Sequence, residues 1–440
     1  MPTKPVVRTA APRKPPVADD AMWPRVTREV ADDLAADAIA RDRAGKPPYD
    51  EVARLREAGL PALLTPPALL GRAHTGPGLL DQNGHAAHGS HAGADWRTAA
   101  AVIREIAAAD GSIGELIARH YVLSWSGRFF GAPDDPAAGH EPPAVVHGWL
   151  LGGSTDLPDP EAGPGLTLSP AESGYLLNGR RTFAAGVTVA DRLVVGATST
   201  RTGELLIALV NPAHPGVLAG ADNDRLGQRL TGAGSADFDN VPVGADHILG
   251  VLPRDEHAVS AFTALAPLAL RLVLSHVALG IAEGALAEAR DVSRAVQPAP
   301  RSEAPDASTY AVRPSGDPYL LLAYGELATA AFTAAAVVER ATDALEQGLF
   351  TGRDIGMDER AEIAVLVAAA EAVTSRSAVD ITTRILELTE AATSPDGSAA
   401  LDRFWRNARA LTAQSSPTHR LRDIGDHYLN GTHPPFTARS

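Results

Sequence analysis

The residues best suited to chemistry lie near the end of the chain, at positions 404–409, whose sequence is FWRNAR. Arg406 and Arg409 are three positions apart, so on a helix they share a face, while Asn407 points elsewhere. Two guanidinium groups beside Trp405 suit a phosphate and a flat ring, because guanidinium binds phosphate oxygens in pairs and stacks on aromatic faces. The alternative is a solvated basic stripe near the end of a helix.

Histidines offer two further possibilities. His120 lies in a predicted helix, where its imidazole could donate or accept a proton near neutral pH, or instead hydrogen-bond a carbonyl as a structural residue. His85, His88 and His91 follow the pattern H-x-x-H-x-x-H, a spacing that could bind zinc. Their segment is rich in glycine and has no helical register to orient three rings, so we expect no metal site there.

Composition narrows the class of protein. The chain has 440 residues, a formal net charge of −14 and no cysteine. The negative charge argues against nucleic acid or an anionic membrane as the main partner, and the lack of cysteine excludes disulfides and thiolate metal sites. We see no apolar run close to the roughly 20 residues needed to span a bilayer. These features predict a cytoplasmic protein without a membrane segment.

The elements that must position these residues change character along the chain. Helical periodicity dominates the first part, with a break at Asp110 or Ser112, either of which could cap a second helix. Short apolar strands follow, and Asn178-Gly179 predicts a hairpin turn. Long Ala-rich helices complete the chain, as in a bundle or at a contact with another subunit. The predicted units are a disordered arm (1–26), an N-terminal helical domain (27–142), a β-domain (143–250) and a C-terminal helical bundle (251–435).

Five widely spaced motifs carry a resemblance to a known family. They are AAADGS at 107–112, RLTG at 229–232 running into FDNVPV at 238–243 and DH at 246–247, DPY at 317–319 with GEL at 325–327, RNAR at 406–409, and DIGDHYLNG at 423–431. Together they span roughly residues 27 to 435. The chain resembles the flavin-dependent monooxygenases of the acyl-CoA dehydrogenase superfamily, the group that includes dibenzothiophene monooxygenase. The resemblance implies an α+β, acyl-CoA dehydrogenase-like fold with a helical domain, a central β-domain and a C-terminal four-helix bundle.

The resemblance also implies a function. It is that of the oxygenase component of a two-component monooxygenase, which takes reduced FMN (FAD being the alternative) from a separate flavin reductase and uses O2 to oxidise a small organic substrate. The Ala-rich helices favour a homotetramer or a homodimer. Two other functions stay open, namely an FAD-dependent acyl-CoA dehydrogenase or oxidase, and a catalytically degenerate flavin-binding homologue. A dehydrogenase needs a catalytic carboxylate, for which Glu371 and Glu387 are weak candidates.

Site residues follow from the same resemblance. It implies that His120 faces the substrate. Arg271 lies near the start of an apolar helix and needs an anionic partner, which a flavin phosphate or a carboxylate could supply. The resemblance implies a cofactor site formed by Ser154, Phe183, Ala185, Gly186, Arg271, Arg313, Arg406, Asn407 and Arg409.

The chain departs from the family pattern at two positions. Ala185 stands where many members have a serine, so a hydroxyl that could hydrogen-bond the flavin is lost. Gln414, with Ser415 beside it, stands nearest to the usual position of a family histidine, and glutamine cannot titrate. We therefore expect Gln414 in the catalytic site, with a different group donating any proton.

Overall fold

The computed structural model describes residues 22–64, 95–132, 148–156, 165–222, 224–295, 316–389, 400–413 and 417–436. The first part is helical, as predicted from the periodicity. Asp110 caps the fourth helix, since its Oδ1 accepts from the backbone N–H groups of Ser112 (3.0 Å) and Ile113 (3.2 Å). The N-terminal helices are α1 (Met22–Ala44), α2 (Tyr49–Glu57), α3 (Trp96–Ala109), α4 (Gly111–Ser124) and α5 (Ser126–Phe130).

A mixed sheet of eight strands follows these helices. Its order is β6-β7-β3-β2-β4-β5-β8, and β1 pairs with β4 in parallel. The longest pairing joins β3 to β7, with Phe183 opposite Gly234 at its end. The strands are β1 (Leu151–Ser154), β2 (Thr167–Ala171), β3 (Gly174–Phe183), β4 (Arg192–Ser199), β5 (Leu205–Val210), β6 (Val217–Ala221), β7 (Gly234–Gly244) and β8 (Ile248–Leu252).

The prediction of a hairpin turn at Asn178-Gly179 is wrong. Both residues lie inside β3, where the pairing with β7 shifts register between Leu177 and Gly179. Gly179 has φ +121°, and a Cβ there would lie 2.4 Å from the carbonyl oxygen of Gly165. Positive φ suits a β-bulge as well as a tight turn, so the same dipeptide bends a strand here instead of ending it.

Five helices complete the chain. The longest three contact one another, and α6 also packs on α3 and α4, which joins the N-terminal helices to the C-terminal bundle. The blocks of helices, strands and helices confirm the predicted α+β class. The helices are α6 (Leu265–Ala295), α7 (Pro318–Thr351), α8 (Met357–Leu388), α9 (Asp402–Thr412) and α10 (Pro417–Asn430).

Two apolar cores explain how the β-domain docks on the helices. On β4, Val194 belongs to the core shared with the helices, whereas Leu193 and Val195 belong to a second core within the β-domain. Successive side chains of a strand point to opposite faces, so one strand contributes to both cores. The sheet is therefore buried on both sides near its contact with the helices.

Two helices are long and apolar enough to cross a membrane by length and composition alone, contrary to the sequence-based expectation of no such run. In α6 the apolar window is 78% buried inside the protein, so it is a core helix. The window within residues 318–354, which include α7, is 28% buried. An apolar face on α7 is thus left for another contact.

Candidate functional site

A cavity of about 550 Å³ lies between the β-domain and the C-terminal bundle. Its β-domain wall is formed by Ser154 at the end of β1 and by residues at the end of β3. Its helical wall comes mainly from α6, α8 and α10, with Arg119 of α4 and the end of α9, and mixes apolar with charged side chains. Lining residues include Ser154, Arg181, Thr182, Ala184, Leu268, Leu270, Arg271, Leu274, Arg360, Glu371 and Arg420.

A polar group organises the β-domain wall. The Arg181 guanidinium donates to Ser154 Oγ (3.1 Å) and to the Gly196 carbonyl (3.3 Å). Ser154 Oγ in turn donates to a carboxylate oxygen of Asp156 (2.8 Å). Burial lowers the pKa of Arg181, and Asp156 partly offsets that effect. The wall therefore presents a fixed hydroxyl, a carboxylate and a guanidinium to anything that enters the cavity.

Two glycines bring the segments of this wall together. Gly152 and Gly186 are so close that a Cβ on Gly152 would lie 2.7 Å from the carbonyl carbon of Gly186. Gly186 has φ +79°, and a Cβ there would lie 2.6 Å from the Cα of Gly152. Both positions need glycine, because a side chain would force two backbones apart.

Only some of the predicted flavin-contact residues line the cavity. Ser154 lines the cavity, but Phe183 and Ala185 are 1% and 2% exposed and belong to the two cores. Neither they nor Gly186 are among the lining residues, while their neighbours Thr182 and Ala184 are. The alanine that replaces the family serine therefore faces the apolar core in this chain.

The helical wall carries most of the charged side chains that line the cavity. Arg271 Nε donates to Glu371 Oε2 (2.7 Å), and Arg420 Nε donates to the same oxygen (3.1 Å). Arg360 donates to the carbonyls of Pro434 and Pro435 in the C-terminal tail. Arg271 thus has the carboxylate partner that an arginine in an apolar helix requires.

The RNAR residues on α9 lie outside the cavity lining. Arg406 forms ion pairs with Asp42 of α1 and, at 2.9 Å, with Asp402. Asn407 Oδ1 accepts from the backbone N–H of Gln228 (2.8 Å), which ties α9 to the β-domain. Arg409 is exposed. Arg406 and Asn407 therefore connect α9 to α1 and to the β-domain, a role that their spacing in the sequence did not reveal.

His120 is buried, and its two ring nitrogens contact backbone groups. Its Nδ1 accepts from the Leu151 N–H (2.9 Å), so Nε2 carries the proton and donates to the Pro61 carbonyl (2.8 Å). His120 is not among the residues that line the cavity. This geometry matches the structural alternative, in which the histidine holds β1 and the segment after α2 against α4.

Acid pH should therefore weaken the fold through His120. Burial lowers its pKa to about 4, against smaller opposing effects of the Pro61 carbonyl and Asp191. Imidazole in the unfolded chain titrates near 6.5, so this contribution to stability is complete above that pH and is lost as the pH falls toward 4. We expect the free energy of unfolding to fall by about 2 kcal/mol from this group between pH 7.5 and pH 5.

Urea unfolding at the two pH values measures this effect. His120→Gln removes the titrating group, so the difference between the two pH values should shrink by the same amount. Burial also lowers the pKa of His276, to about 3, but that residue acts equally in both proteins. An unchanged pH dependence in the variant would contradict the assignment.

Several predicted residues lie outside the described part of the chain. They are Arg313, Gln414 and the triplet His85, His88 and His91. Among the described residues, no group of three or more histidines or carboxylates is arranged to hold a metal ion.

Sequence reasoning missed the other cavity arginines, namely Arg119, Arg181, Arg360 and Arg420. Arg360 is only 3% exposed but lies in the first turn of α8 among Asp358, Glu359 and Glu362, which read as a charged, solvated stretch and gave no signal. Arg420 gave none either, because it stands next to Arg422 and Asp423 in a mostly polar segment. Their convergence on one cavity depends on how α8 and α10 pack.

The site and the fold have known counterparts. A family model described as "Acyl-CoA dehydrogenase, C-terminal domain" matches residues 272–416. Dibenzothiophene monooxygenase from Rhodococcus qingshengii is 32% identical over 421 residues, covering 93% of each chain. A probable FMNH2-dependent monooxygenase, SfnC, from Pseudomonas putida is 30% identical over 93% of this chain and 95% of its own.

A solved structure supports the same family relationship. TdsC from Paenibacillus sp. A11-2, determined in complex with FMN and indole, superposes with a TM-score of 0.80 and 29% identity. The match covers 95% of this chain and 100% of that one. The similarity thus extends through the helical domain, the β-domain and the bundle that enclose the cavity. This chain belongs to the flavin-dependent monooxygenases of the acyl-CoA dehydrogenase superfamily, in the group of dibenzothiophene monooxygenase.

Proposed function

We propose that this protein is the oxygenase component of a two-component monooxygenase, which binds reduced FMN and oxidises a small organic substrate with O2. The observation that carries this proposal is the cavity of about 550 Å³ between the β-domain and the bundle, in a chain related to such enzymes along 93% of its length. Cavities of about 300–1,000 Å³ suit cofactors and small ligands.

The residues present fit a flavin. Ser154, Arg181 and Thr182 give the β-domain wall hydrogen-bonding groups, and Ala184 leaves room for a flat ring to approach. These residues would hold the polar edge of the flavin. Exposed Arg409, and Arg313 outside the described residues, stay predictions for the phosphate, contributed within one subunit or between two. Reduced FMN, when bound, supplies the two electrons with which O2 yields one transferable oxygen atom and water.

The protein's own residues exclude water and orient the substrate. Leu268, Leu270 and Leu274 on α6 give the helical wall an apolar surface opposite Ser154. An apolar, shielded site protects a reactive intermediate from hydrolysis and strengthens each polar contact inside it. The substrate would lie between this surface and the flavin.

A dehydrogenase mechanism has less support. Glu371 lines the cavity, but its Oε2 accepts from both Arg271 and Arg420, so protonation of this carboxylate would weaken two ion pairs. Glu387 is exposed and is not among the lining residues. The two relatives described above, which match at 30% identity or more along 93% of this chain, are named as monooxygenases, which also favours oxygen transfer over removal of a substrate proton.

Reoxidation kinetics test the proposal. The purified protein is mixed anaerobically with reduced FMN and then rapidly with oxygen, while the absorbance of oxidised flavin is recorded. We expect that absorbance to return more slowly than for free FMN, because the cavity shields the flavin. Return at the rate of free FMN would overturn the proposal and favour a catalytically degenerate homologue.

The name of the P. putida relative specifies FMNH2, which supports delivery of flavin already reduced. We therefore propose a separate flavin reductase as the partner and the cytoplasm, where reduced nicotinamide cofactors are made, as the location.

The apolar face of α7 supports a homotetramer or homodimer. Leu322, Phe332 and Phe350 are 62%, 73% and 85% exposed on this helix. Large apolar side chains along one helix are typical of subunit contacts. A second copy of the chain is the occupant we propose, because the bundle already packs helices side by side through α6 and α8.

Phe332→Glu is expected to lower the oligomeric mass, since it places a charge in the proposed contact. Size-exclusion chromatography with light scattering measures the mass. The matched control is Leu218→Glu, the same kind of change at a 70% exposed leucine of the β-domain, which should leave the mass unchanged. A wild-type protein that is already monomeric would contradict the proposed assembly.

A further inference from the structure

Three arginines and one carboxylate lie together in the helical wall of the cavity. Arg271 on α6 and Arg420 on α10 both donate to Oε2 of Glu371, at 2.7 and 3.1 Å. Arg360 on α8 is the third, held by the carbonyls of Pro434 and Pro435. We call Arg271, Arg360 and Arg420 the arginine cluster. All three line the cavity together with Glu371.

The hydrogen-bonding capacity of the cluster is not used up. Arg271 Nη2 and Arg360 Nε are buried and have no hydrogen-bond partner within the part of the chain that the structure describes. The side chains of Arg271 and Arg420 are each 19% exposed, and Arg360 as a residue is 3% exposed. A buried donor without a partner costs free energy, so such groups indicate a missing acceptor.

The charge of the cluster is also unbalanced. Of the three guanidinium groups, Arg271 and Arg420 share one carboxylate, Glu371, and Arg360 contacts only backbone carbonyls among the described residues. Asp423, whose side chain is 14% exposed, also acts on Arg271, but its direct ion pair is with the exposed Arg422, so two carboxylates face the three guanidinium groups of the cluster. Burial lowers the pKa of Arg360, and the nearby positive charge of Arg271 lowers it further. A network that served only to hold helices together would need no surplus of positive charge.

The position of the cluster indicates what could supply the missing acceptor. The cavity presents Leu268, Leu270 and Leu274 beside these arginines and places Ser154 on the opposite wall. A molecule bound there would have its charged end at the guanidinium groups and its apolar part along the leucines. Guanidinium binds planar or tetrahedral oxyanions through pairs of hydrogen bonds.

We propose that the arginine cluster binds the anionic group of the substrate, and that the substrate is therefore a small organic acid, such as a carboxylate, sulfinate or sulfonate, with an apolar remainder. This inference rests on the proposed function, in which the flavin takes the β-domain wall. The phosphate of FMN has the same chemistry as such an acid, so the experiment must separate the two sources of negative charge.

Binding measurements on the FMN-loaded protein test the proposal. Isothermal titration gives the affinities of benzoate and methanesulfonate and of their neutral counterparts, benzamide and dimethyl sulfone. We expect at least one anion to bind about 10- to 100-fold more tightly than its neutral counterpart. Arg271→Met should remove this preference. Arg271→Lys should restore part of it, because lysine brings back the positive charge but cannot donate the paired hydrogen bonds of a guanidinium group.

Matched controls separate a local effect from a general one. Arg97→Met makes the same change at a 63% exposed arginine outside the cavity and should leave anion binding unchanged. Arg420→Met is the second cluster variant and serves if Arg271→Met does not fold. It leaves the ion pair between Arg271 and Glu371 in place.

Comparison of FMN with riboflavin distinguishes the two sources of charge. If the cluster binds substrate, Arg271→Met leaves the ratio of FMN to riboflavin affinity unchanged. A loss of FMN affinity alone would assign the cluster to the cofactor phosphate and overturn the proposal. Wild-type protein that binds neither anion more tightly than its neutral counterpart would also overturn the proposal. In that case, slow reoxidation of bound FMN would show that the proposed monooxygenase function still stands.

Discussion

Gly186→Ala is expected to abolish detectable FMN binding and to lower the free energy of unfolding by roughly 2–5 kcal/mol. Gly186 has φ +79°, which strains an alanine, and the new Cβ would lie 2.6 Å from the Cα of Gly152. The two backbones would have to separate. Because Ser154 follows Gly152 on β1 and lines the cavity, the flavin-facing wall would move with them.

The measurements are urea unfolding and FMN titration followed by flavin fluorescence. Gly203→Ala is a close control, since Gly203 has φ +73° but its nearest atom to a new Cβ is the Arg254 side chain at 3.6 Å. It carries the backbone strain without the clash and should cost about 1–2 kcal/mol while FMN still binds. Equal losses in the two variants, with FMN affinity kept in both, would show that the close approach is unimportant.

Glu371→Gln is expected to destabilise the protein by about 3–5 kcal/mol, because it leaves buried positive charges without their carboxylate. The Glu371 side chain is 10% exposed and is shared by Arg271 and Arg420. Glutamine has nearly the same shape, so the loss reflects charge and not packing. Urea unfolding at neutral pH gives the magnitude.

An exposed ion pair provides the control for this variant. Asp343→Asn removes the nearer of the two carboxylate partners of Arg97, at side-chain exposures of 46% and 63%, and should cost at most about 1 kcal/mol. Added sulfate should stabilise Glu371→Gln more than it stabilises the wild-type protein, because beyond its general stabilising effect an oxyanion can replace the lost carboxylate. A loss no larger than that of the exposed pair would mean that water already solvates the cluster.

Local patterns predicted well those features that depend on neighbours in sequence. The cap at Asp110 needs only donors two and three residues away, so its prediction from sequence agrees with the structure. Asn178-Gly179 shows the limit of such patterns. The dipeptide correctly indicates a special backbone conformation, but β7 decides that it becomes a bulge instead of a turn.

Side chains that meet across the fold were harder to predict. The spacing of Arg406 and Arg409 predicts a shared helical face, yet nothing local shows that Asp42, far away in sequence, neutralises Arg406. His120 looked suited to proton transfer, but Leu151 and Pro61 occupy both of its ring nitrogens. In each case a distant backbone or carboxylate sets the role of the side chain.

By itself, the sequence determined the class of fold and, through motifs spread along the chain, the family. Hydrophobic periodicity and capping act over a few residues, so they survive in a linear pattern. Only the tertiary structure decided which charges face the cavity. Arg271, Arg360 and Arg420 come from three helices, and they line one cavity because α8 packs against both α6 and α10. That packing places two of the guanidinium groups on Glu371 and the third in the same cavity wall, which no spacing along the chain encodes.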